Sequence, residues 1–153
     1  MKLLIKIVFL FFITIWCIGI FNQFLFEKGT SNLISLLSDN VYSNVCHQNP
    51  GRLISESGNH SMVCSRCAGI YSGVLLFSII LLFLCSKSGL SIYPLFIGLL
   101  PMLADVILTS LDIYEYSKTI AFITGLLSGS VVIFYIHDAI NKLFIELRSE
   151  DKT

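Results

Sequence analysis

The sequence predicts an all-α membrane protein with four transmembrane helices, an amphipathic interfacial helix and a cysteine-containing loop. Composition is the first reason: 55% of the 153 residues are hydrophobic and 13% are charged, and mean hydropathy is +0.82. Soluble domains carry about 25% charged residues. Length is the second reason, because four apolar segments approach the roughly 20 residues that a helix needs to cross a bilayer. We therefore expect one polytopic membrane domain over residues 1–153.

The four apolar segments define the expected spans. The first is longer than the h-region of a signal peptide and precedes no typical cleavage site, so we interpret it as a retained signal anchor. The helix of the fourth span can continue into the polar stretch that follows it. The spans are expected at about residues 3–26, 68–85, 92–111 and 118–136, with a Cys/His loop at 27–67 and a polar C-terminal tail at 137–153.

Charge predicts the orientation and limits the partners. Six of the ten Lys and Arg residues lie on the side of the termini. The positive-inside rule then places the termini in the cytoplasm and the cysteine loop on the outer face of the cell membrane. A net charge of zero gives no indication of a nucleic-acid partner. The expected partner is the lipid bilayer, with a homo-oligomer left open and the ligand unknown.

Small residues recur at helical spacing in the second and fourth spans. Gly69 and Gly73 form one such pair, and Ala121, Gly125 and Gly129 form a second series. Small residues spaced by four let helices approach closely in membranes. The pattern predicts a compact bundle and carries no chemistry of its own.

The loop before the second span is expected to contain an amphipathic helix. Leu33, Leu37, Val41 and Val45 recur at a spacing of four among polar residues. Such a stripe is typical of a helix that lies on the membrane interface. Its last turn would deliver the Cys-His pair at 46–47.

Cysteine and histidine residues of this loop have the spacing of a metal site. Cys64 and Cys67 form a CxxC motif, which lets two thiolates reach one metal ion. Cys46 offers a third ligand, and His47 a fourth, with His60 as the alternative. Soft thiolate ligands favour zinc, with iron as the less favoured alternative. We therefore predict a Zn²⁺ site at the membrane face.

Two other interpretations of the cysteines remain open. A CxxC motif at a helix N-terminus is also where thiol–disulfide oxidoreductases place their reactive pair, because the helix dipole and a nearby Arg66 stabilise a thiolate. A structural disulfide is the second, but it would leave one of the three loop cysteines unpaired. Cys17 and Cys85 lie inside the predicted spans and are interpreted as apolar packing.

Asp105 is an ionisable residue within the third predicted span. Such residues are costly in a bilayer and point to function. The order of the spans places Cys67, Tyr71, Asp105 and Thr124 at a shallow depth on one side, so we expect them to converge on one pocket. The alternative is structural, with Asp105 capping a kink or pairing with an arginine.

The motifs resemble those of a family of small bacterial and archaeal predicted membrane proteins, domain of unknown function 2085. They are VCHQ at 45–48, Arg52, VCSRCAGIYSG at 63–73, LPMLAD at 100–105 and ITGLLSG at 123–129. The resemblance implies a multi-pass membrane protein without an assigned activity. It places at motif positions Cys46, His47, Gln48, Arg52, Cys64, Arg66, Cys67, Gly69, Tyr71, Gly73, Asp105, Thr124 and Gly125. Val106, Thr109 and Ala121 depart from the family pattern, which has Gly, Gln and Arg there.

Three functions follow from these residues. The favoured one is a metal-binding membrane protein that binds or transports a small polar or lipid-derived ligand. The second is an intramembrane metal-dependent enzyme, with Asp105 as base and Arg52 or Arg66 holding an anionic headgroup. The third is a thiol–disulfide oxidoreductase using Cys64 and Cys67.

Overall fold

The computed structural model describes residues 2–21, 40–56, 59–83 and 91–150. Most of them are helical. The elements are α1 (Lys2–Ile20), a 3₁₀ turn (Pro50–Arg52), β1 (Leu53–Glu56), β2 (Asn59–Cys64), α2 (Ser65–Phe83), α3 (Tyr93–Ser110) and α4 (Lys118–Glu150). The expected amphipathic helix falls largely outside the described residues, and its last part, 40–43, is helical.

Among the described residues, three helices are long and apolar enough to cross a membrane. They are Ser65–Phe83, Tyr93–Ser110 and the part of α4 at Lys118–Leu143. The first helix contributes a shorter apolar stretch, Leu4–Ile20. The helical membrane fold is thus confirmed for three candidate spans. The fourth helix continues well past residue 136, so the stretch expected to be a polar tail is helical as far as Glu150.

The second and fourth helices form the central contact of the bundle. They run parallel and touch through glycines on both sides, where an added Cβ would collide with a main-chain carbonyl of the other helix. This confirms the close packing expected from the small-residue pattern. The contacts join Gly69 with Phe122, Gly73 with Leu126, Gly125 with Arg66 and Gly129 with Ile70.

The other two helices run antiparallel to this pair. On α1, Lys6 Nζ donates to the Leu81 carbonyl at 3.4 Å, and the Cys17 thiol lies 3.6 Å from the Tyr71 carbonyl. On α3, the Leu95 N–H donates to the Tyr135 hydroxyl at 3.1 Å. One end of the bundle, here called the cysteine end, therefore holds the ends of α1 and α3 and the starts of α2 and α4. The other is called the opposite end.

A two-stranded antiparallel sheet corrects the all-α prediction. Strands β1 and β2 pair Leu53 with Cys64 and Ser55 with His60, with an irregularity in between. The Ser61 hydroxyl fills this irregularity, accepting from the Ile54 N–H at 3.0 Å and donating to the Val63 carbonyl at 2.7 Å. The sequence predicts a loop for this polar stretch. Pairing satisfies backbone groups that would otherwise be buried against the helix ends.

Candidate metal centre

Cys46 is held at the cysteine end by a tyrosine that docks on α1. The Tyr42 hydroxyl donates to the Trp16 carbonyl at 2.9 Å, and the two rings pack edge to face with centroids 4.9 Å apart. The Cys46 N–H then donates to the Tyr42 carbonyl at 2.9 Å. Cys46 is buried in an apolar cluster that includes Ile20 and Val63.

The three predicted cysteine ligands meet at one point. Cys64 ends β2 and Cys67 lies in the first turn of α2. The sulfur atoms of Cys46, Cys64 and Cys67 all lie within 4.8 Å of one another, and all three thiols are free. Three sulfurs bound to one tetrahedral zinc at about 2.3 Å lie about 3.8 Å apart. The cysteine triad therefore needs only small side-chain adjustments to hold a metal ion.

Hydrogen bonds favour the thiolate form of Cys64. The hydrogen bond with the Cys67 thiol is the largest cause, and it outweighs the opposing effect of burial; the backbone N–H groups of Cys67 and Arg66 add to it. Together they lower the pKa of the Cys64 thiol to about 5. The Cys64 N–H donates in turn to the Cys46 sulfur at 3.2 Å. Thiolates are the form that binds metal ions, so Cys64 is the member of the triad that these hydrogen bonds prepare for one.

Neither predicted histidine ligand joins the triad. Within the described chain, the group of possible ligands that meets this distance consists of the three cysteines. His47 is exposed although Cys46 beside it is buried, and His60 on β2 is exposed as well. The structure therefore brings three candidate ligands together, and the two histidines lie outside that group.

A buried ion pair lies beside the triad. Arg66 donates to Oδ2 of Asp105, and the Tyr114 hydroxyl donates to Oδ1 of the same carboxylate. The side chains of Arg66 and Asp105 are 14% and 3% exposed. Asp105 is the one buried residue of α3. Both carboxylate oxygens are engaged, as the structural interpretation of Asp105 expects.

Two arginines, one of them from the ion pair, contact the ring of Tyr116. The guanidinium carbons of Arg52 and Arg66 lie 5.2 Å and 5.8 Å from the centre of the Tyr116 ring, a cation–π distance. Burial raises the pKa of Tyr116, and the nearby Cys64 raises it further. Arg66 Nε is buried and has no hydrogen-bond partner in the described chain. An electropositive group thus borders the triad.

Sequence reasoning missed Tyr114 and Tyr116. Both lie in the short connection between α3 and α4. The available signal was a pair of tyrosines next to a span, a position where aromatic residues are enriched at membrane interfaces. That signal indicates the interface but not the contacts with Asp105 and the arginines.

Comparison with known proteins gives the family. The model of a family described as predicted membrane protein (DUF2085) matches residues 46–135, which is more than half of the chain. The chain belongs to the DUF2085 family. The match begins at the first cysteine of the triad and includes the ion pair and both tyrosines.

Two archaeal relatives support the assignment to DUF2085. The uncharacterized protein MJ1492 of Methanocaldococcus jannaschii is 38% identical over 119 residues, which cover 74% of this chain and 76% of the relative. An uncharacterized protein of Methanothermobacter thermautotrophicus is 28% identical over 86 residues, or 56% of this chain and 78% of the relative. No solved structure matches significantly.

Three further residues that the sequence predicts for the site, Gln48, Tyr71 and Thr124, fall into different surroundings. The Gln48 side chain donates to the Met62 carbonyl at 3.0 Å. Tyr71 packs against Trp16, with ring centroids 5.9 Å apart. The Thr124 hydroxyl donates to the Ala121 carbonyl of its own helix at 3.2 Å. Gln48 and Tyr71 thus support the apolar cluster around the triad. The hydroxyl of Thr124 is used in a hydrogen bond within α4.

Proposed function

We propose that this DUF2085 member is a four-span membrane protein that holds a zinc ion on Cys46, Cys64 and Cys67. The bound zinc and the neighbouring arginines bind or transport a small polar or lipid-derived anionic ligand at the membrane face. The convergence of three cysteine sulfurs within 4.8 Å of one another carries this proposal.

The donor set favours zinc with an open position. Three thiolates are soft ligands of the kind that zinc accepts. Zinc sites with three protein ligands keep the fourth tetrahedral position for water or substrate, whereas purely structural sites use four. His47 and His60 are both exposed. A ligand oxygen is therefore the natural fourth donor in the proposed site.

The arginines supply the chemistry that selects an anion. Arg52 is exposed and stacks over Tyr116, so its charge is free to meet a ligand. Arg66 is committed to Asp105 through one nitrogen, while its Nε has no partner in the described chain. An anionic group bound to zinc would meet these donors next.

We assign Asp105 a structural role in this proposal. A general base must have a lone pair free to accept the substrate proton. Here one oxygen accepts from Arg66 and the other from Tyr114. The contacts favour a binding protein over an intramembrane hydrolase that uses Asp105.

The fourth span and the orientation are part of the proposal. Like α2, α1 is 19 residues long, which is about 28 Å at 1.5 Å per residue. It runs beside α2 from the opposite end to the cysteine end. A helix of this length and composition spans the hydrocarbon core. The positive-inside rule then places both termini in the cytoplasm and the triad on the outer face of the cell membrane.

Elemental analysis of the detergent-purified chain tests the metal centre. We expect about one zinc per chain by inductively coupled plasma mass spectrometry, lost in Cys64→Ser/Cys67→Ser. The matched control is Cys17→Ala, since Cys17 is also buried but is not one of the three thiols that lie within 4.8 Å of one another. Metal-free protein after purification in zinc-containing buffer would reject the proposal.

A thiol–disulfide oxidoreductase is the second candidate, favoured by one specific observation. The Cys64 and Cys67 sulfurs lie close together where α2 begins, as a reactive pair does. The Cys64 thiolate would attack a disulfide of the substrate, releasing one substrate thiolate, and Cys67 would then displace the other. A Cys67→Ala variant should accumulate a mixed disulfide through Cys64. Absence of this adduct would dismiss the candidate.

A further inference from the structure

A small cavity lies between α1, α2 and α4 at the opposite end of the bundle. Its volume is about 30 Å³, room for about two oxygen-sized groups. The lining is mostly apolar, and four polar side chains interrupt it. The four are Lys6, Ser78, His137 and Asn141.

His137 is the buried donor of this cavity. The residue is 9% exposed, and its Nε2 is buried without a hydrogen-bond partner in the described chain. The Asn141 amide nitrogen lies 3.0 Å from His137 Nδ1. An amide nitrogen is a donor, so Nδ1 accepts and the ring proton of the neutral histidine lies on Nε2. An N–H without an acceptor is costly in an apolar setting.

Lys6 adds a positive charge to the same cavity. Its ammonium donates one hydrogen bond to the Leu81 carbonyl at 3.4 Å, which leaves two of its three N–H groups for other acceptors. The nearby carboxylate of Asp138 is bound by Lys142 at 2.8 Å. No acidic side chain is among the residues that line the cavity, so its donors have no negatively charged acceptor within the lining.

We propose that this cavity binds the acidic headgroup of a membrane lipid, with Lys6 and His137 as donors to its anionic oxygens. Small-molecule sites are typically apolar with a few converging polar groups. The apolar walls, including Ile136 and Ile140, suit the attached acyl chain, and the space suits two oxygens of a phosphate or carboxylate. This site is separate from the cysteine triad, which lies at the other end of the bundle.

Lipid binding to the full-length protein in detergent tests the proposal. Native mass spectrometry and thermal unfolding would compare phosphatidylglycerol with phosphatidylcholine. We expect phosphatidylglycerol to be retained and to raise the unfolding temperature. Lys6→Met and His137→Leu should each weaken its binding about tenfold, the scale of a lost hydrogen bond to a charged group. His137→Gln, which keeps a side-chain donor, should restore part of it.

Lys118→Met is the matched control, because it removes the same charge from the cysteine end of α4. Binding that is equal in the control and in Lys6→Met, or that does not distinguish the two lipids, would overturn the proposal. If His137→Leu does not fold, Lys6→Met decides alone. Inorganic phosphate is a further arm: the same stabilisation by phosphate, lost in Lys6→Met, would keep the oxyanion site and identify a free anion as its source.

Discussion

Asp105 acts as a buried attachment point for a helix that is otherwise exposed. It is the one buried residue of α3, while Phe96, Ile97 and Leu103 on the same helix are more than half exposed. In a bilayer those apolar side chains face lipid tails, and hydrophobic burial then does little to hold a helix to its neighbours. The contacts of Asp105 with Arg66 and Tyr114 supply the attachment instead.

Removing the carboxylate should therefore destabilise the whole bundle. Asp105→Ala leaves the Arg66 charge buried without its partner, which costs about 3–5 kcal/mol in comparable cases. We expect a lower unfolding temperature in detergent for Asp105→Ala. An Arg66→Met/Asp105→Met double variant should recover much of that loss, because no unpaired charge remains. A double variant no more stable than Asp105→Ala would contradict the ion-pair argument.

Cys64 should stay reactive at low pH in the metal-free protein. Its hydrogen bonds lower the pKa of the thiol to about 5 from an ordinary value of 9.0. The thiolate should therefore persist as the pH falls from 9 to about 6 and be lost below about 5. Alkylation rates at Cys64, resolved by peptide mass mapping, should stay nearly constant between pH 8 and 6 and fall only below that.

The unfolded chain provides the control for this measurement. In denaturant, Cys64 loses these hydrogen bonds, and its alkylation should already slow by about tenfold per pH unit below its ordinary pKa. The same difference in pKa gives the sign of the pH effect on stability. Because the pKa of Cys64 is lower in the folded chain, the thiolate stabilises the fold above the unfolded pKa, and this stabilisation is lost as the pH falls through about 5. Parallel pH profiles in the folded and unfolded chain would contradict the assigned hydrogen bonds.

At the scale of elements, the α2–α4 contact depends on the absence of side chains. A Cβ at Gly125 would meet the Arg66 carbonyl, and one at Gly69 would meet the Phe122 carbonyl. Main-chain atoms of a helix cannot move aside as a flexible side chain can. The two helices must separate if either glycine is replaced.

A Gly125→Leu substitution should force this separation. Overpacking typically costs 1–3 kcal/mol, and we expect about 3 kcal/mol or more here because the obstacle is main chain. Arg66 lies beside Cys67 in the first turn of α2. Displacing this turn should therefore also lower zinc retention. The control is Gly51→Ala, whose added Cβ would make only an ordinary contact with Asn49. Equal stability and zinc content in both variants would contradict the packing argument.

The sequence predicted elements where one periodicity dominates. Apolar runs and small-residue spacing gave the helices and the α2–α4 contact. The hairpin was missed because residues 53–64 mix apolar and polar types without a sustained alternation, and its burial depends on the helix ends that it covers. The surroundings of His137 were missed for a related reason: a polar stretch was interpreted as a tail, whereas α4 carries it against α1 and α2.

The candidate site was predictable in part for the same kind of reason. A CxxC spacing keeps its two sulfurs close together. Cys46 could be predicted as the third ligand because the sequence offers few other thiols. The role of the histidines could not be read from sequence, since burial differs between the adjacent residues Cys46 and His47. The tyrosine contacts require the α3–α4 connection to fold over Arg66, which spacing along the chain does not reveal.

The whole molecule places its two polar groups at opposite ends of an apolar bundle. The cysteine triad lies with the ion pair at the cysteine end, and Lys6 with His137 lies at the opposite end. Apolar side chains along the helices between them are extensively exposed, among them Phe11, Phe12 and Leu76. This distribution fits a protein whose middle is surrounded by lipid and whose two proposed sites face the two membrane surfaces.

The proposed four-span topology makes a decisive prediction about the termini. If α1 crosses the membrane with α2, α3 and α4, an even number of crossings puts both termini on one side. If α1 does not cross, three crossings put them on opposite sides.

Green fluorescent protein fused to either terminus of the full chain in a bacterial host should fluoresce in both cases, and alkaline phosphatase fused there should be inactive. As an internal control, a Glu115→Cys label site in the exposed α3–α4 connection should react with a membrane-impermeant maleimide from outside intact cells. Phosphatase activity at one terminus alone would reduce the protein to three spans. Lys6 would then not lie at the membrane face assigned to it above. Phosphatase activity at both termini would keep four spans and reverse the orientation.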